Sequence, residues 1–233
     1  MTSNVCVVTG VGPGTGASLV RKFAGAGYRV AMLARSAERL RELERAIPGA
    51  RAYLTDVADP VQVHDVFRRI RSDLGAVDVL LHNAGSGSFG TLDAVTPEAF
   101  EASWRVNAFA LLLLAREVMP AMLEAGRGAI VVTGATASWR GGANTAAFAA
   151  AKAAQRSLAQ SMARSLGPRG IHVAYVIVDG VIDMPVTRGF FRDRPDDFFL
   201  KPAAIAETVY QLTRQDQSAW TFELDLRPFG EKW

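Results

Sequence analysis

Short, unbroken apolar runs alternate with stretches of helical periodicity along the chain, and this alternation limits the fold more than any other feature. Runs at 5–9, 28–34, 50–54, 77–81, 129–133, 171–178 and 220–224 read as strands. Helical patterns lie between them: 14–25, a helix capped by Ser36 and running to about 46, 60–73, 97–125, 146–166 and 202–214. Pro48-Gly49, Gly126 and Gly167-Pro168 supply stops. Strands that are apolar throughout are buried on both faces, and helices between them make neighbouring strands parallel. The expected fold is therefore α/β and doubly wound, with a single domain over residues 1–233. The segment 184–200 is the least regular. It carries Phe190, Phe191, Phe198 and Phe199 among Arg188, Arg192, Asp193 and Arg194, and reads equally as a substrate lid or a packing loop.

Composition narrows the function classes. With 49% hydrophobic and 21% charged residues in 233, the chain has ordinary globular balance, which excludes a disordered protein. The longest uncharged apolar run, 108–115, falls short of the roughly 20 residues that span a bilayer, so no membrane segment is expected. Residues 1–4 lack a basic region of the secretory kind. The single cysteine, Cys6, lies in an apolar run and reads as a buried hydrophobe; neither a disulfide nor a thiolate metal site is expected, and the cytoplasm is the expected compartment. Basic residues are interspersed with acids, as in Arg39-Leu40-Arg41-Glu42-Leu43-Glu44-Arg45, which suits a solvated helix face and argues against nucleic acid. No spacing of His and carboxylates suggests a metal.

The first strand runs into Thr9-Gly10-Val11-Gly12-Pro13-Gly14-Thr15-Gly16 and then a helix. Glycines in such a turn let backbone approach a pyrophosphate, and the helix N-terminus attracts its charge. The end of the second strand selects the nucleotide. An acid there would hold the ribose hydroxyls and repel a 2′-phosphate. Ala34-Arg35-Ser36 has none, and Arg35 suits a phosphate, so NADP(H) is expected over NAD(H).

With these residues in view, the whole chain resembles the short-chain dehydrogenases/reductases. Gly10, Gly14, Thr15 and Gly16 match the family's cofactor turn; Asp56 and Val57, after Thr55, match its adenine-contacting segment; Asn83-Ala84-Gly85 matches the motif after the fourth strand; Asn107 matches its catalytic asparagine. The resemblance implies a Rossmann-type fold with a seven-stranded parallel sheet, a nicotinamide cofactor also touched by Ile182 and Lys152, a small-molecule substrate, and homodimers or homotetramers built on the two long helices.

The departures bear on the chemistry. The family's Tyr-x-x-x-Lys pair reads Phe148-Ala149-Ala150-Ala151-Lys152. Its serine falls on Ala135 by the common spacing, or on Thr136 with a shift of one, with Ser138 further on. Its Pro-Gly after the sixth strand is Asp179-Gly180, and the following threonine is Met184. A phenyl ring donates no proton. Two readings follow: an atypical NADPH-dependent reductase whose substrate pocket is bordered by Ala135, Thr136, Phe148 and Asp179, or a catalytically silent NADP(H)-binding protein. For the reductase, Lys152 is the first candidate acid, Asp179 and Asp183 are weaker ones, and an iminium substrate would need none. His82, His64 and His172 read as structural or exposed.

Overall fold

The computed structural model describes residues 4–230. Its centre is a seven-stranded parallel sheet in the order β3-β2-β1-β4-β5-β6-β9. The strands are β1 (Val5–Thr9), β2 (Arg29–Ala34), β3 (Ala50–Leu54), β4 (Val79–His82), β5 (Gly128–Ala135), β6 (Ile171–Val178) and β9 (Glu223–Leu226). The helices are α1 (Thr15–Gly25), α2 (Ala37–Ala46), α3 (Pro60–Asp73), α4 (Pro97–Trp104), α5 (Ala110–Ala125), α6 (Ala146–Leu166), α7 (Pro185–Phe190) and α8 (Pro202–Leu212). The doubly wound, single-domain expectation holds.

Alternate residues of β1 explain the two-sided covering. Val5 and Val7 join a core with α3, α5 and α6, whereas Cys6 and Val8 join a second core with α1, α2 and α8. Both faces are dry, so the strand needs no polar positions. Asp59 starts α3 by accepting from the backbone N–H of Val61 and Gln62, and Thr96 starts α4 through Ala99 N. Ser36 precedes α2 but makes no side-chain capping bond.

Besides small shifts of strand ends, as in β4 and β5, three elements differ more from the sequence expectation. The helix expected over 97–125 is broken by a π turn, Arg105–Phe109, between α4 and α5. The last strand starts at Glu223 instead of 220, because the Trp220 ring stacks on His172 at 4.8 Å and the ladder begins only after it. The irregular segment folds into α7 and a two-residue strand, β8 (Phe199–Leu200), paired with β7 (Val181–Ile182). By length and composition the 29-residue stretch Pro97–Ala125 is apolar enough to cross a membrane, a property missed by counting only its uncharged run. Its residues Leu111, Leu114, Val118 and Met122 lie in the first core.

β1 and β4 are neighbours although β2 and β3 lie between them in sequence. The chain therefore leaves the sheet in opposite directions at their C-terminal ends, which opens a crevice there.

Candidate active site

The crevice is floored by the glycine turn. Gly10 has φ +66°, and a Cβ there would sit 2.5 Å from Ala84 Cα. A Cβ on Gly16 would sit 2.6 Å from Gly10 O. Both positions require glycine for lack of room, and Gly10 also for its left-handed backbone. Asn83 Nδ2 donates to Gly10 O at 3.0 Å, and Ala84 N donates to Thr9 Oγ1 at 3.2 Å, so the Asn83-Ala84-Gly85 segment holds the turn open from the β4 side.

Next to the turn lies a cavity of about 240 Å³ bordered by Ala34, Arg35, Ser36, Asp56, Val57 and Gly85. It brings together the residues expected for the adenosine half of a dinucleotide. Asp56, the only acid among its lining residues, already accepts from Ala58 N at 2.9 Å. Thr15, at the first turn of α1, has a buried hydroxyl oxygen with no partner among the described residues. An orphaned hydroxyl at a helix N-terminus beside an open glycine turn fits a bound phosphate. Sequence reasoning missed a second cation. The Arg39 guanidinium reaches to 4.0 Å from where a Cβ on Gly12 would stand. Its signal was available: Arg39 lies four residues after Arg35, in the first turn of α2.

Lys152 and Asn107, the residues expected for the chemical half of the site, lie close together. A Cβ built on Gly85 would lie 3.4 Å from Asn107 Oδ1 and 3.7 Å from Lys152 Nζ, so both side chains face the crevice at one spot. Asn107 sits in the π turn, the kind of helix irregularity often found at functional sites. Its Nδ2 donates to Ser86 O and Ser103 O, while its buried Oδ1 has no partner among the described residues. Lys152 is buried, and burial lowers its pKa from 10.5 to about 7. His82, fully buried beneath Asn107, bridges Thr9 Oγ1 and Asn107 O; burial first, and the Lys152 charge second, lower its pKa to about 3, which keeps it neutral. His64 pairs with Glu117 at the surface, and His172 bonds Thr221 O.

The departures now have places. The Phe148 ring centroid lies 6.0 Å from Lys152 Nζ and 5.4 Å from the Phe89 ring, so an apolar wall stands where the resemblance leads one to expect a phenol. Ala135 ends β5 opposite Val178. The Thr136 hydroxyl donates to Asp179 Oδ1 at 2.5 Å, and Asp179 Oδ2 pairs with Arg227 at 3.2 Å. Ser138 is buried and donates back to Ala135 O. Asp183 is held by Arg188 Nε and Nη2 at 2.7 and 2.8 Å, which lowers its pKa and removes it as an acid. Ile182 lies in β7, and a side chain on Gly14 would run into the Met184 thioether, which places the start of the 184–200 segment over the glycine turn. Among the described residues no group of His, Cys, Asp and Glu has metal-binding geometry.

Comparison with known proteins settles the kinship. The short chain dehydrogenase family model matches residues 4–194. The chain belongs to this family. It is 33% identical over 194 residues to 2-(R)-hydroxypropyl-CoM dehydrogenase of Xanthobacter autotrophicus, covering 80% of this chain and 77% of that one. A metagenomic short-chain oxidoreductase solved with NADP is 30% identical with a TM-score of 0.85, covering 99% of both chains. An NADPH-bound short-chain oxidoreductase of Pseudomonas aeruginosa PAO1, described as containing an atypical catalytic center, is 26% identical with a TM-score of 0.89, covering 99% of this chain and 97% of that one. In this short-chain dehydrogenase, Lys152, Asn107 and Phe148 come together at the crevice.

Proposed function

We propose that the protein is an NADPH-dependent oxidoreductase that reduces a small carbonyl, imine or other unsaturated substrate, with Lys152 as its acid. The cofactor, when bound, supplies the hydride. The chain's own part is to hold the dinucleotide and the substrate and to deliver a proton. Gly10, Gly14, Thr15 and Gly16 would hold the pyrophosphate, Asp56 and Val57 the adenine side, and Asn83, Ala84, Gly85, Lys152 and Ile182 the nicotinamide side. The observation that carries the proposal is Lys152: a buried amine, proton-binding near neutrality, open to the crevice beside Asn107. As the substrate is reduced, a Lys152 N–H bond breaks, its electron pair stays on nitrogen, and a bond forms from that proton to the substrate's oxygen or nitrogen. Water then returns the proton to the amine.

Ala135, Thr136, Phe148 and Asp179 border the substrate in this proposal, and 184–200 is its lid. The exposed Phe190 gives that lid an apolar rim, while Arg188, bridging Asp183 and Asp196, staples its base. Exposed Phe100, Trp104 and Leu112 on the long helix mark the contact for a homodimer or homotetramer. The buried lone thiol of Cys6 agrees with a cytoplasmic protein. Phe148 is the observation that favours the other reading, a silent NADP(H)-binding protein. Steady oxidation of NADPH with aldehydes, ketones, imines and enones decides between them: turnover on any class supports the enzyme, and tight NADPH binding without turnover on all of them supports the silent protein.

The cofactor choice has its own test. NADPH is expected to bind more tightly than NADH, because Arg35 meets the 2′-phosphate and no acid stands at Ala34. Arg35→Ala should remove about ten- to hundredfold of that preference, the range of a charge-assisted hydrogen bond. Calorimetric affinities that are equal for the two cofactors in the unmodified protein would refute it.

A further inference from the structure

Lys152 is held from behind by groups that belong to no part of the family motif quoted above. Its Nζ donates to Thr133 O at 2.9 Å and to Gln155 Oε1 at 3.0 Å. No other acceptor meets it among the described residues. Gln155 is fully buried, one helical turn after Lys152 on α6. Its amide has only one workable orientation. Nε2 donates to Asn107 O at 2.9 Å, so Oε1 must face the lysine, and there the Tyr175 hydroxyl shares its one hydrogen between Oε1 at 3.2 Å and Lys152 O at 3.3 Å. Tyr175 comes from β6 and lies across β5, where a Cβ at Gly134 would overlap its ring. The phenol is fully buried beneath the lysine, away from the crevice, so it supports the amide and cannot replace the tyrosine missing at 148.

We propose that Gln155 is the positioning residue that makes Lys152 a one-proton acid, committing two of its N–H bonds so that the third is always the one facing the crevice. The inference rests on the reading of Lys152 as the site's acid. Its logic is a count of hydrogens. An ammonium has three N–H bonds, and a neutral amine has two and a lone pair. Two fixed acceptors, Thr133 O and Gln155 Oε1, satisfy two N–H bonds in either state. The proton given to substrate therefore leaves from the crevice side, and the lone pair left behind points to the same place, ready to be recharged from water. Neither state leaves a buried donor unpaired, so the proton is exchanged without rearrangement of the side chain.

The surroundings carry no charge that would override this. From β4, His82 is neutral; from β6, the Tyr175 phenol is held protonated by burial. The Arg156–Glu223 ion pair, from α6 and β9, is closed at 2.5 and 2.8 Å. Arg105 of the π turn pairs with Glu101, and Asp179 beyond β6 pairs with Arg227. No carboxylate bonds the amine among the described residues.

The test reads the lysine directly in the full chain saturated with NADP⁺. The protein has four lysines, Lys22, Lys152, Lys201 and Lys232, so the Nζ resonances of lysine labelled with nitrogen-15 are few, and Lys152→Met assigns the one of interest. Gln155→Met is expected to weaken proton binding at Lys152 about tenfold, moving its midpoint down about one pH unit, since an acceptor is lost. Tyr175→Phe, which keeps the ring against Gly134, is expected to move it up, because Oε1 then serves the lysine alone; this variant keeps the test open should Gln155→Met fold poorly. Midpoints unmoved in the variants overturn the inference. If the midpoints move while the alkaline limb of turnover stays where it was, the clamp stands and Lys152 is not the acid.

Discussion

Lys152→Met, assayed with NADPH at saturation, is expected to lose turnover by about a hundredfold or more, the usual worth of a positioned acid. Saturation matters because Lys152 lies on the nicotinamide side of the expected cofactor site, and weaker cofactor binding alone would mimic a chemical defect. In the unmodified protein, turnover should fall about tenfold for each pH unit above about 7, as the ammonium is lost. Stability should move the other way. The folded chain holds this proton only below about pH 7, while an unfolded lysine holds it to about 10.4. Between these values the unfolded state binds more protons, so raising the pH favours folding, by a slope of up to ~1.4 kcal/mol per pH unit from this group. Lys152→Met should lack that contribution. Urea unfolding at pH 7.5 and 9.5, compared between the two proteins, checks it; equal pH dependence would mean the amine is not buried. A variant that turns over at the original rate would remove Lys152 as the acid.

The second large effect is a gain. Phe148→Tyr combined with Ala135→Ser should raise the rate on a carbonyl substrate by about a hundredfold, by supplying the phenol and hydroxyl that the family uses. Position 148 already faces the right neighbour, with its ring centroid 6.0 Å from Lys152 Nζ. Position 135 ends β5 beside the crevice. The measurement is kcat/KM on a carbonyl panel for the single and double variants. No gain on any carbonyl would mean that the serine register lies elsewhere, or that the pocket does not bring a carbonyl to Lys152.

The fold and the cofactor half of the site were legible because their signals are local. β1, β3 and β6 have the bounds read from the sequence: Gly10 closes β1, Gly49 precedes β3, and Gly170 and Asp179 bracket β6. The glycine turn is contiguous in sequence, so its spacing along the chain is its spacing in space. β9 was misplaced because Trp220 and Phe222 look like strand residues, yet Trp220 is spent on His172 before the ladder starts. The acid half was only partly legible. Lys152 and Asn107 stood out by family spacing, but the bonds that orient them join residues remote in sequence: His82 with Asn107, Gln155 with Asn107, Thr133 with Lys152. A buried glutamine in an alanine-rich helix gives no periodic signal. The π turn was also hidden, because α4 and α5 are both apolar and merge into one pattern.

That wide turn has a consequence for the chain's tolerance of length changes. Ala110 N donates to Arg105 O, five residues back, so the helix holds one residue more there than a regular turn would. Deleting a single residue from 105–109 would restore ordinary winding, and because the surplus residue is already taken up within the one wide turn, α4 and α5 would keep their directions relative to each other. The change would fall on the turn itself and on Asn107, moving its carbonyl away from His82 and Gln155. The outward face of α4, with Phe100 and Trp104, would stay where it is while the site was dismantled. The extra residue thus sets the position of the asparagine and leaves the scaffold around it unchanged.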